Sequence, residues 1–147
     1  MCEYCGCQTI PAIADLTREH EQIRDLAREA IVGADEAATV GAVQRLLTVL
    51  RPHTRVEEEG LFPAMRREFA GHVRALTGEH REVQDLLGAF LADPGERRPL
   101  QQAVGLLFEH ILREQDGLFP ASLAMLSAAD WDRVDAVRAA TVPVPAH

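Results

Sequence analysis

Two stretches of this chain, HTRVEEEGLFP at 53–63 and HILREQDGLFP at 110–120, are copies of one another. Each sets a histidine and a glutamate four residues apart, His53 with Glu57 and His110 with Glu114. Ahead of each copy lies a second repeated stretch, EHEQIRDL at 19–26 and EHREVQDL at 79–86, which brings His20 and His80. The EH stretches are 60 residues apart and the His/Glu pairs 57, so the chain is an internal duplication whose halves differ by a small change in loop length. Two like halves that each carry the same three potential metal ligands suggest one shared, roughly two-fold symmetric site.

The spacing of apolar residues around these motifs predicts an all-α fold. Ile13, Leu16, Ile23, Ala27 and Ala30 recur in steps of three and four, and His20 takes the missing place in that seam. The first helix is expected from Pro11, suited to a first helical position, to Ile31, before the Gly33-Ala34-Asp35 break. A second helix from Asp35 or Glu36 carries Val43, Leu46 and Leu50, after which the seam turns polar at His53 and Glu57. Pro52 removes a helical hydrogen bond, so a kink is expected there; Gly60 and Pro63 should bend or stop the helix, leaving PAMRREF as a short connecting helix. A third helix, 71–91, repeats the pattern with Val73, Leu76, His80, Val83, Leu87 and Phe90. The polar turn DPGERRP then leads to a fourth, 100–116, with Leu100, Ala103, Leu107, His110 and Glu114. A last helix after Ser127, with Asp130 as capping partner and Trp131, Val134 and Val137 on one side, is expected to cover the rest.

Short connections favour an up-down-up-down four-helix bundle with this additional C-terminal helix. His20 and His80 then lie near the starts of their helices, and His53/Glu57 and His110/Glu114 near the ends of theirs, so antiparallel packing brings all six to one level. Side chains four apart lie one turn above each other, about 6 Å between neighbours, a pitch suited to bridging two ions. A single histidine in a seam is more often a satisfied core residue than a ligand. Four histidines with two glutamates at one depth are another matter, because uncompensated core carboxylates are prohibitive, whereas cations compensate them. Imidazole with carboxylate and no thiolate points to iron or manganese rather than structural zinc.

The remaining features mostly exclude. At 147 residues and 47% hydrophobic content, the chain can bury a core without staples, and apolar runs such as AVGLLF at 103–108 are too short for a bilayer. The N-terminus has neither a basic region nor a long apolar stretch, so a cytoplasmic protein is expected. A net charge of -8 and 5% aromatic content argue against nucleic acid and anionic membranes as partners. No nucleophilic triad or phosphate-binding glycine loop is present. Cys2, Cys5 and Cys7 form a Cys-x-x-Cys-x-Cys tail that could hold a soft metal, form a redox pair, or do neither. The chain is therefore divided into the cysteine tail (1–9), the bundle (10–126) and the C-terminal helix and tail (127–147), with terminal His147 expected in solvent.

The pattern H...HxxxE...H...HxxxE, carried by His20, His53, Glu57, His80, His110 and Glu114 and followed by GLFP, resembles the hemerythrin-like (HHE cation-binding) family over residues 10–126. The resemblance implies a di-iron centre inside a four-helix bundle, with Glu57 and Glu114 bridging the ions and the histidines completing their shells. Oxygen-carrying members have a second histidine four residues after the one on the third helix and an aspartate five after the one on the fourth, where this chain has Gln84 and Gln115. It is more similar to the bacterial subgroup with the six-ligand motif, whose members are linked to peroxide breakdown. The implied partners are small molecules: peroxide, oxygen or nitric oxide. Two functions follow as expectations, a catalase-like or oxidative-stress role, and binding or sensing of iron, oxygen or nitric oxide without turnover. His72, two turns before His80, is a further imidazole near the motif, of a kind more often found on a surface.

Overall fold

Four of the helices begin at a local chemical signal. The computed structural model describes residues 10–141; Cys2, Cys5, Cys7 and His147 lie outside them. Helix α1 (Pro11–Ile31) opens with proline in its first turn, where no amide donor is needed. Helix α2 (Glu36–Val56) is capped by Asp35, whose Oδ1 accepts the Ala38 N–H at 2.8 Å. Helix α4 (Arg98–Arg113) again has proline in its first turn. Helix α6 (Ala128–Thr141) is held at its start by a reciprocal pair: Asp130 N–H donates to Ser127 Oγ at 3.2 Å, and Ser127 N–H donates to Asp130 Oδ2 at 3.0 Å.

Of the two outcomes expected at Gly60 and Pro63, a bend or a stop, the helix does not stop, and the second GLFP segment behaves alike. Glu57–Leu61 and Glu114–Leu118 are single π turns, and the chain continues helically from them into α3 (Phe62–Ala92) and α5 (Phe119–Met125). The Phe62 and Phe119 amides donate back to the Glu57 and Glu114 carbonyls, five residues earlier. A proline inside an α-helix clashes with the carbonyl four residues before it and donates nothing; a widened turn just ahead of Pro63 and Pro120 relieves that clash without ending the helix. The expected connecting helix PAMRREF is therefore the prolongation of α2 through the π turn. The break falls at Phe69, whose φ -127°, ψ 46° is the one non-helical conformation within α3. Similarly, α2 runs on through Pro52 to Val56.

The described residues form an all-helical bundle in which α1 packs along α2, α3 along α4, and α1 also meets α4. None of their helices is long and apolar enough to cross a membrane. The expected seam residues are buried on all four long helices. They do not make one continuous core. Ile23, Leu46, Leu50, Val83, Leu87, Phe90, Leu100 and Leu107 belong to one apolar cluster, and Ile13, Leu16, Val56, Leu61, Phe62, Met65, Val73, Leu76, Leu118 and Phe119 to another. His20 lies between Leu16 of one cluster and Ile23 of the other, and His80 between Leu76 and Val83. The polar residues thus form a layer sandwiched between two hydrophobic ones. Each large side chain buried there contributes about 1.5–3 kcal/mol, which offsets the cost of the polar layer.

Candidate metal centre

All six residues singled out in the sequence meet in that layer. Glu57 and Glu114 have 0% exposure, and His20, His53, His80 and His110 are buried as well. Two sets of four side chains, His20/His53/Glu57/Glu114 and His80/His110/Glu57/Glu114, each bring one ligand-type atom per residue within 4.8 Å of the others. The glutamates are common to both sets. Glu57 directs Oε2 to His53 Nε2 (3.4 Å) and Oε1 to His80 Nε2 (3.0 Å); Glu114 directs Oε1 to His20 Nε2 (3.0 Å) and Oε2 to His110 Nε2 (3.3 Å). Each carboxylate therefore offers one oxygen to each histidine pair.

The opposite ring nitrogens are all engaged. Nδ1 of His53 donates to Glu19 Oε1 (2.9 Å), that of His110 to Glu79 Oε1 (2.8 Å), that of His80 to Glu58 Oε2 (2.7 Å), and that of His20 to Gln115 Oε1 (2.8 Å). These bonds fix ring orientation and leave Nε2 as the inward nitrogen. Two arginines anchor the outer carboxylates: Arg138 of α6 donates twice to Glu19, at 2.8 and 3.1 Å, and Arg113 pairs with Glu79. The motif phenylalanines close the layer from the other side. Phe119 stacks on His20 (5.4 Å, 6°) and Phe62 on His80 (5.6 Å, 10°).

Sequence reasoning gave none of these residues a supporting role, although it singled out Gln115 as a departure from the oxygen-carrying pattern. The signal was in the repeats: Glu19 and Glu79 precede the lone histidines, Glu58 and Gln115 follow the paired glutamates, and the phenylalanines belong to GLFP. Of two other residues considered in the sequence, His72 belongs to neither set of converging side chains. His72 is exposed beside a shallow depression shared with Phe69, Gly117, Leu118 and Ala121, and Gln84 donates to Thr54 Oγ1 at 3.4 Å.

Buried polar atoms without partners test whether a cation fits. Both oxygens of Glu57, Oε2 of Glu114 and Nε2 of His80 and His110 have no hydrogen-bond partner in the protein, although all point into the layer. Interiors seldom tolerate such atoms, and here they are oxygen and imidazole donors of the kind that hold cations. The residues fit a metal site.

The electrostatics agree. Burial pushes the His53 imidazolium down, but the Glu57 charge and the bond to Glu19 outweigh it and raise its pKa to about 10. His80, opposed by burial in the same way, is raised to about 9 by the Glu57 carboxylate facing it and its bond to Glu58. His110 is also raised, the Glu114 charge outweighing burial. Burial would lift Glu57, yet His53 and His80 hold it well below the ordinary carboxylate range. Burial opposes the charge of Glu19 too, but His53 and Arg138 lower it to about 2. Without a cation, protons on His53 and His80 balance the buried Glu57 carboxylate.

A family model described as the hemerythrin HHE cation-binding domain matches residues 12–122. Searches of curated proteins and of solved structures returned no match.

Proposed function

The chain belongs to the hemerythrin HHE cation-binding family, and on that premise we propose that it is a cytoplasmic non-haem di-iron protein that reacts with hydrogen peroxide or oxygen. In this reading α1 to α4 run up-down-up-down and α6 covers the open side. His20 and His53 would hold one ion and His80 and His110 the other, with Glu57 and Glu114 available to both. The observation that carries the reading is the convergence of unpartnered imidazole nitrogens and carboxylate oxygens on one buried layer. A nitrogen and oxygen donor set without thiolate suits iron or manganese.

Bound iron supplies redox change and open coordination positions. The chain does the rest. Glu19, Glu58, Glu79 and Gln115 hold the imidazoles with Nε2 inward, so no ring has to reorient when a cation or small molecule arrives. The apolar clusters on both sides exclude bulk water, and Phe62 and Phe119 keep His80 and His20 from swinging out of the layer. Burial of all six side chains restricts any reacting molecule to a few atoms. The same restriction favours a second reading, binding or sensing of oxygen or nitric oxide without turnover.

Metal content by mass spectrometry on aerobically purified protein, with absorption spectra before and after peroxide, tests both. About two irons per chain are expected for a carboxylate-histidine bundle, with ferric bands that change as oxygen is released. His110→Ala is expected to lower iron content to below about half, since it removes one of few nitrogen donors. Iron binding with turnover no faster than free iron leaves the binding reading. Zinc alone, or no metal after anaerobic ferrous loading, overturns the di-iron proposal.

A further inference from the structure

The duplication makes the outer hydrogen bonds of the centre comparable position by position. Glu19 and Glu79 are equivalent in the repeat, each accepts from the paired histidine of its own half, and each is neutralised by an arginine, Arg138 or Arg113. That leg is matched. The other is not. The residue after the first paired glutamate is Glu58, bonded to His80; the residue after the second is Gln115, bonded to His20. Glu58 has no arginine partner among the described residues, and His80 is the group it pairs with. The outer groups around His80 and His110 therefore carry one negative charge more than those around His20 and His53.

An anionic acceptor on Nδ1–H makes the opposite nitrogen a stronger donor, and an extra negative charge nearby attracts a cation; a neutral amide does neither. We propose that the two histidine pairs are unequal, that the His80/His110 pair takes the first cation and holds it more tightly, and that Gln115 is the positioning residue that keeps the His20/His53 side weak. This rests on the metal-binding reading above and adds to it an order of loading. The centre can then stand half-filled, with one retained and one exchangeable ion.

Cobalt(II) titration of the metal-free full chain at neutral pH, followed by calorimetry and by the cobalt absorption bands, separates the possibilities. Two cations held by the same two carboxylates lie close enough to repel one another, so two resolved steps arise even from identical sites. The step that responds to each substitution is what decides. Q115E is expected to tighten the second step about tenfold or more while moving the first by no more than about twofold. E58Q is expected to weaken the first step by a similar factor and spare the second. The double exchange, E58Q with Q115E, should return the wild-type pattern. The substitutions conserve side-chain size at partly exposed positions, and circular dichroism checks that each variant folds. If Q115E instead tightens the first step several-fold, or if neither variant alters either step, the inference is wrong while the metal reading survives. If cobalt does not bind at all, both fall.

Discussion

Each imidazole of the centre is used at both ends, and this division of labour sets how it responds to pH. The outer nitrogens are held by Glu19, Glu58, Glu79 and Gln115, while the inner ones face Glu57 and Glu114. With His53 raised to about 10 and His80 to about 9, both rings keep their protons at neutral pH in the metal-free protein. A cation has to displace those protons, because only a neutral imidazole can ligate. Cation affinity is therefore expected to climb with pH across the neutral range, by about tenfold per pH unit for each proton displaced, and to level off only above those two values. Titrations at three neutral pH values, with proton release followed in weakly buffered solution, check this. A flat profile with no proton release would mean that the histidines are neutral before the cation arrives, or that they are not its ligands.

The elements that deliver these residues are long helices with a π turn where each glutamate begins. The repeat treats the two turns alike in sequence, yet their surroundings differ. A Cβ at Gly60 would come within 3.2 Å of the Val134 backbone on α6 and 3.5 Å of Val137, whereas one at Gly117 would meet nothing within 4 Å. Gly117→Ala is expected to stabilise the protein by about 0.5–1 kcal/mol through helix propensity. Gly60→Val is expected to destabilise it by about 1–3 kcal/mol by pushing α6 off the turn. Urea unfolding of both variants is the check, and equal effects would deny that α6 depends on this close approach. The helices themselves were legible in the sequence, because apolar steps of three and four mark the buried seam whatever the neighbours do. The four histidines and two glutamates were legible for the same reason, as polar residues at seam positions. The π turns were not, since Gly60 and Pro63 carry the same local signals as a helix end, and only the continuing helix distinguishes the two. Nor was the break at Phe69, a residue without helix-ending chemistry of its own. The outer carboxylates were hidden because Glu19 and Glu79 resemble solvent-facing charges until a neighbouring helix brings His53 and His110 against them.

At the scale of the whole molecule, the fold is two apolar clusters joined through a polar layer, so the charge balance of that layer bears on global stability. A cation that binds the folded chain and not the unfolded one adds about 2.7 kcal/mol at a free concentration a hundred times its Kd. For a domain of this size that corresponds to about 5–10 °C in Tm. Chelation should remove this gain without unfolding the protein at neutral pH, because protonated His53 and His80 then balance Glu57. That substitute has a limited pH window. Histidines whose folded pKa lies above the ordinary value of about 6.5 stabilise the fold fully below that value. They lose the contribution as pH rises through about 9 for His80 and about 10 for His53. Glu57, lowered in the fold, works in the other direction: its contribution is present above the ordinary carboxylate range and fades as pH falls below it. The Tm difference between metal-loaded and chelated protein is therefore expected to widen from neutral toward alkaline pH, as the chelated form is left with carboxylates that nothing balances. Thermal melts of both forms over that range measure it. A difference that stays constant would show that protons do not stand in for the cation, and that something else in the layer neutralises Glu57 and Glu114.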